Sequence, residues 1–210
     1  MDAAFWHRRW ESNEIGFHQG EANALLVRHF AALLLPEHAR IFVPLCGKTR
    51  DIAWLLSRGY RVVGAELSRL AVEQLFEELG VEPETSASGP LLRFAAGEVE
   101  VFVGDVFDLT AAMLGAVAAV YDRAALVALP AGLRERYAAH VAAITRSAPQ
   151  FLICMEYDQT TRQGPPFSID GAEVTRVHGA RYQVTELARA ALEGGLKGAG
   201  PVQETVWLLR

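Results

Sequence analysis

Residues 40–47, RIFVPLCG, carry an apolar run into a sharp turn, and nineteen residues after Gly47 a second apolar run, RVVGAE, ends in Glu66. A helical pattern lies between them. Few folds accommodate that order of features. It is the layout of a strand–helix–strand unit in which a tight turn lets backbone approach a ligand and a carboxylate about 20 residues on accepts ribose hydroxyls. The turn holds one glycine where a dinucleotide fingerprint has three, so the ligand need not contain a pyrophosphate.

The rest of the chain continues the alternation. Strands are expected at 41–45, 61–66, 99–103, 117–121 and 151–156, with helices near 49–58, 68–79 and 131–146 between them. In the second helix Ser68 reads as the N-cap, Val72, Leu75, Phe76 and Leu79 form one apolar face, and Gly80 ends it. Residues 81–98 are irregular and acidic, and read as a surface loop with a short hairpin over 93–100. A short helix near 171–177 precedes two strands, 181–187 and 205–209, with no helix to separate them. The expected architecture is α/β: a mostly parallel sheet with helices on both faces and an antiparallel closing hairpin at one edge. Upstream, Trp6 and Trp10 share a face of a short helix, Leu26, Phe30, Leu33 and Leu34 follow helical spacing, and Pro36 closes that segment.

Ligands of such sheets bind outside the carboxyl ends of the strands. Here those ends are residues 45–47, Glu66, Asp105 and the pair Asp122–Arg123. A carboxylate ending a buried strand costs free energy unless it is paired or solvated, which favours a ligand role for Glu66 over chance. Asp105 and Val106 face the far side of the same crevice, where an acid or a backbone N–H can bond an adenine edge while Val106 or Phe107 packs on the ring. A plain Gly-Asp turn is the alternative. Arg123 stays protonated, so it is no general base; it can bind an anion or stabilise developing negative charge, unless it forms only a surface ion pair with Asp122. Trp6 and Trp10 are either a core staple or a lid.

Other signals lead nowhere. No two histidines among His7, His18 and His178 have ligand spacing backed by a third group, so no metal is expected. Cys46 reads as a small residue filling a tight turn rather than a nucleophile. Lys48–Thr49 after Gly47 is half a phosphate loop and lacks its first glycine. The net charge of -5 and the absence of basic clusters argue against nucleic-acid binding. Two cysteines make no disulfide framework, and no apolar stretch suits a signal peptide or a membrane span, so a cytoplasmic location is expected. With 51% hydrophobic residues, 1–210 suits one domain, in which 1–36 forms a helical N-terminal extension.

Taken together, FWHRRW, IGFHQ, VPLCGK, VVGAELS, GDVFDL, YDRAALVAL and GPPF resemble the thiopurine S-methyltransferase family in its bacterial form, from Phe5 to the terminal VWLLR. The resemblance implies a Rossmann-like sheet of seven strands with the last antiparallel, and S-adenosyl-L-methionine as methyl donor. It implies that Trp10 folds over the cofactor, that the backbone of Leu45 meets its methionine end, and that Glu66 takes the ribose. Asp105 and Val106 then lie on the adenine side, and Arg123 lies near both cofactor and acceptor. Phe17, Pro166 and Phe167 fall where the family builds its acceptor pocket. The implied substrates are aromatic and heterocyclic thiols, with selenium and tellurium compounds or a non-catalytic cofactor sensor as alternatives and a monomer as the default state. Two departures stand out: Lys197 is the only cation where vertebrate members carry a second arginine, and Asp105 replaces serine. The segment ICMEY at 153–157 receives no role.

Overall fold

The two apolar runs around the turn pair as parallel neighbours. In the computed structural model, which describes every residue except 1, 2, 17, 124, 193 and 197, β1 (Arg40–Pro44) lies against β2 (Arg61–Glu66) with Ile41 opposite Val62 and Val43 opposite Gly64. Both faces of these strands are covered, so they are apolar without alternation. Ile41 and Val43 point into one core, shared with α2 (Ala24–His29), α3 (Arg50–Ser57) and α4 (Arg69–Leu79). Phe42 points into the other, shared with α5 (Ala111–Leu114), α6 (Ala125–Ala128), α7 (Ala131–Thr145) and α8 (Gly171–His178).

The sheet has nine strands in the order β3-β4-β5-β2-β1-β6-β7-β9-β8. Its centre, β5 (Val99–Val103), β2, β1, β6 (Ala119–Asp122) and β7 (Gln150–Glu156), is parallel, as expected. The closing pair, β8 (Val184–Ala191) and β9 (Gln203–Leu209), is the antiparallel hairpin anticipated at one edge, with β9 antiparallel to β7.

The count of seven strands is corrected at the opposite edge. β3 (Glu84–Ser88) and β4 (Leu91–Ala96) form a second antiparallel hairpin, in the segment expected to be mostly loop. Only its second half was anticipated: the β4–β5 connection is the hairpin expected near 93–100. β3 escaped notice because ETSAS is almost wholly exposed on both faces and carries no apolar alternation. The helix expected over 26–34 is shorter as well. It starts at the Asn23 cap, tightens into a 3-10 turn over Phe30–Leu33, and stops where Leu34 adopts a left-handed φ of 54°.

At the N-terminus α1 (Ala3–Glu11) buries Trp10. No helix among the described residues is long and apolar enough to cross a membrane.

Candidate active site

The turn after β1 is built around two left-handed residues, Leu45 (φ 48°) and Gly47 (φ 51°). A leucine in that region is strained, and such strain persists where surrounding contacts over-determine it. One of those contacts is the Cys46 N–H donating to the Ala65 carbonyl at 3.1 Å, which keeps the turn fastened to β2. Gly64 makes room for it: a Cβ there would lie 2.9 Å from the Cys46 sulfur. The thiol is 5% exposed and burial pushes its pKa well up, in keeping with a filler and not a nucleophile.

Glu66 closes the unit. Its carboxylate, in a residue 7% exposed, accepts the Gly47 N–H at 2.8 Å and the Ser68 N–H at 2.8 Å. Burial pushes its pKa up, while the backbone N–H groups of Ser68, Gly47 and Leu67 pull it back. The acid thus fixes the turn after β1 to the start of α4. Above the turn lies Trp10, and a Cβ on Gly47 would sit 3.0 Å from its Cζ2. Lys48 is not free for a phosphate: its Nζ pairs with Glu78 at 2.9 Å, a carboxylate that also meets Arg50 at 3.4 Å. His18, from the IGFHQ segment, feels Lys48, Glu78, Arg50 and Arg123, and burial with these cations lowers its pKa.

Asp122 and Arg123 do not pair. Asp122, 2% exposed, enters the α7 face, where it accepts from the Tyr137 hydroxyl at 2.7 Å and the Ala125 N–H at 3.1 Å. Arg123 turns to the α3 face, and its Nη1 lies 3.5 Å from Oδ2 of Asp51. Its side chain is 13% exposed, and its buried Nε finds no hydrogen-bond partner among the described residues.

No sequence motif marks the ion-pair partner of Arg123 or the groups around it. Asp51, at the second position of α3, also accepts from the Tyr121 hydroxyl at 2.8 Å and the Asn23 N–H at 2.7 Å. The Asn23 side chain in turn donates to Glu204 on β9, with 3.3 Å to each oxygen. An acid in the first turn of a helix reads as dipole compensation, so only its apolar flanks hint at burial.

On the far side of β2, the Gly104 N–H donates to the Glu66 carbonyl at 2.9 Å and brings the next loop alongside. Asp105 caps that loop, accepting the Phe107 N–H at 3.0 Å, while Val106 is 3% exposed. Phe107 is already stacked from α7, with the Arg136 guanidinium 4.0 Å from its ring centre and the His140 ring at 5.4 Å.

The loop with GPPF is pinned rather than loose. The Phe167 N–H donates to Val127 at 2.7 Å, the Tyr157 hydroxyl donates to the Pro166 carbonyl at 2.6 Å, and the Arg134 guanidinium lies 5.4 Å from the Phe167 ring centre. The segment ICMEY thereby gains an account: Ile153–Glu156 end β7, and Tyr157 just beyond it carries the proline loop. Phe17 and Lys197 lie outside the described residues.

The sheet order brings Glu66, the left-handed turn and Arg123 together at adjacent strand ends. The chain superposes with a TM-score of 0.67 on the 1,6-didemethyltoxoflavin-N1-methyltransferase of Burkholderia thailandensis, solved with S-adenosylhomocysteine, at 15% identity over 99% of this chain and 86% of that one. At that identity the likeness speaks for the fold alone.

The sequence comparisons go further. The family model described as thiopurine S-methyltransferase matches residues 1–208. The thiopurine S-methyltransferase of Xanthobacter autotrophicus is 56% identical over 100% of this chain and 99% of its own length. That of Gluconobacter oxydans is 48% identical over 98% of this chain and 94% of its own. The chain belongs to the thiopurine S-methyltransferase family.

Proposed function

We propose that this protein transfers a methyl group from S-adenosyl-L-methionine to the sulfur of small aromatic or heterocyclic thiols, as the names of its relatives suggest. The observation that carries the reading is Arg123: a largely buried guanidinium that, among the described residues, has a single long ionic contact and a buried Nε without a hydrogen-bond partner, at a strand end next to the Leu45–Gly47 turn. A cation so placed has donors left for an anionic ligand.

The residues present suit the methyl donor. Glu66 retains lone pairs for ribose hydroxyls beyond those its backbone donors use. Leu45 holds its backbone in the conformation that turns it toward a ligand, Asp105 and Val106 border the adenine side, and Trp10 covers the turn. Phe17, Pro166 and Phe167 would shape the acceptor end. When bound, S-adenosylmethionine supplies an electrophilic methyl on a sulfonium. The protein then has mainly to align the acceptor with that methyl and to exclude water. Arg123 favours the thiolate form of the acceptor, and thiols of this kind need little further base. We read 1–210 as one catalytic domain with 1–36 as its cover, working as a monomer in the cytoplasm.

The test is a thiol panel led by 6-mercaptopurine, beside thermal-shift runs with S-adenosylhomocysteine and with NAD. Turnover of a thiol and stabilisation by S-adenosylhomocysteine alone are expected, since a true ligand stabilises the folded state by mass action. Tight cofactor binding without turnover of any thiol would defeat the reading. A headspace assay for volatile methylated selenides in cells expressing the chain probes the chalcogen acceptors.

A further inference from the structure

Asp51 belongs to no feature that the sequence motifs single out, yet it joins three separate segments of the site. It is 1% exposed, and an anion buried so fully is tolerated only when donors surround it. Three do. Its Oδ1 accepts the backbone N–H of Asn23 at 2.7 Å; its Oδ2 accepts the Tyr121 hydroxyl at 2.8 Å and faces Arg123 Nη1 at 3.5 Å.

The two oxygens thus serve different parts of the molecule. Tyr121 is fully buried in the sheet core, so Oδ2 is anchored to a rigid strand and its pull on Arg123 has a fixed direction. A bidentate pair would occupy the guanidinium fork; a single contact at 3.5 Å orients it and leaves Nε open. Oδ1 points the other way, to the end of the N-terminal segment. Asn23 is held there by all its polar groups: its N–H goes to Asp51, its side-chain oxygen caps α2 by accepting from Leu25 and Leu26, and its Nδ2 goes to Glu204. That segment leads back to Trp10 over the turn.

We infer that Asp51 is a positioning residue of the methyl transfer, whose carboxylate sets the direction of Arg123 and, through Asn23, ties it to the N-terminal cover of the site. The inference rests on the reading of Arg123 given above. It assigns Asp51 no contact with the substrate; its effect on turnover passes through Arg123 alone, with Asn23 serving to hold the carboxylate in place.

A double-mutant cycle on the full-length chain tests it, with kcat/KM for 6-mercaptopurine at saturating S-adenosylmethionine as the readout and calorimetry of S-adenosylhomocysteine binding alongside. Asp51→Asn keeps the shape and removes the charge. Alone it is expected to lower kcat/KM about 10-fold while changing S-adenosylhomocysteine affinity by less than about 3-fold. In an Arg123→Met background it should cost nothing further, because the group it orients is gone. Tyr121→Phe leaves the carboxylate charged and frees Oδ2 from its anchor; a loss of about 3-fold that vanishes in the same background is expected. Equal losses in both backgrounds would make Asp51 a merely structural acid and overturn the inference. If Asp51→Asn does not fold, the Tyr121→Phe cycle decides alone, and a loss that is absent or independent of Arg123 overturns it. A wild-type chain that methylates no thiol removes the reading beneath the inference, and the inference with it. An active wild type with an additive cycle removes the inference only.

Discussion

Asp122 and Arg123 are adjacent in the chain and open onto opposite faces of the sheet, and the two faces treat their charges differently. On the α7 face each oxygen of Asp122 accepts from a buried donor of the fold, Tyr137 and the first N–H of α6. On the α3 face Arg123 is oriented by Asp51, and its Nε has no hydrogen-bond partner among the described residues. An acid enclosed in a helix-packed core with its donors supplied by that core serves the fold; a cation held in place with a donor to spare is suited to something that arrives. The DRAAL motif therefore sends its two charges into different surroundings, and the alternation of side chains at a strand end separates them.

The largest expected effects break that comparison if they fall on the wrong side. Asp122→Ala leaves the Tyr137 hydroxyl and the Ala125 N–H buried without their acceptor and should cost about 3 kcal/mol of stability by chemical denaturation. The folded fraction should retain turnover within a few-fold. Arg123→Met should weigh on turnover instead, lowering it at saturating cofactor about 100-fold, with S-adenosylhomocysteine affinity falling less than turnover; stability should fall by only about 1–2 kcal/mol, because the buried Asp51 loses a long ionic contact and keeps its Asn23 and Tyr121 donors. If calorimetry finds cofactor binding lost with turnover at saturation unchanged, Arg123 belongs to the cofactor site alone.

A second contrast lies within the α7 face. Burial raises the Asp122 pKa to about 6, and burial beside Arg181 lowers that of His178 to about 4. Neither ring nitrogen of His178 finds a hydrogen-bond partner among the described residues. Folded Asp122 holds a proton that the unfolded chain releases near its ordinary value, so its contribution to stability is present below about 4 and is lost as pH rises through about 6. Folded His178 refuses a proton that the unfolded chain takes near 6.5, so its contribution is present above that value and is lost as pH falls toward about 4. Each shift corresponds to roughly 3 kcal/mol, with opposite signs in one window. Against the wild type, His178→Leu should gain relative stability as pH falls from 6.5 to 4, and Asp122→Asn should lose it. Urea midpoints at half-unit pH steps would show parallel curves if either group titrates normally.

Local features were legible in the sequence. The β1–β2 unit, Glu66 and the antiparallel closing pair are each written in a short stretch, where apolar runs, turn residues and a terminal acid follow one another. The β3 strand was not, because a wet edge strand has no apolar face to leave a pattern. The network behind Arg123 was not either. Asn23 and Asp51 are 28 residues apart, Asp51 and Tyr121 are 70, and Asn23 and Glu204 are 181, and only the fold brings them together. Asp122 and Arg123 illustrate the limit: opposite charges side by side suggest a pair, and the alternation of side chains across the sheet forbids it.

The smallest effect is expected at the turn, and it sharpens the comparison on the Arg123 side. Gly47 combines a φ of 51° with the Trp10 indole directly above it, where a Cβ would approach Cζ2 to 3.0 Å. Gly47→Ala therefore carries two separate costs. The left-handed backbone disfavours alanine by about 1 kcal/mol, and the added methyl pushes the indole off the turn by a few tenths of an ångström. The N–H that Glu66 accepts stays in place, so the strand unit should survive with only that modest loss in stability. The displaced indole should weaken S-adenosylhomocysteine binding by about 3- to 10-fold, a change of roughly 1 kcal/mol in affinity. Gly59→Ala, also at positive φ but with nothing near its Cβ, supplies the control: it should show the backbone cost without the loss of affinity. Equal affinities for the two variants would mean that Trp10 packs on the turn as a core staple and takes no part in holding the cofactor.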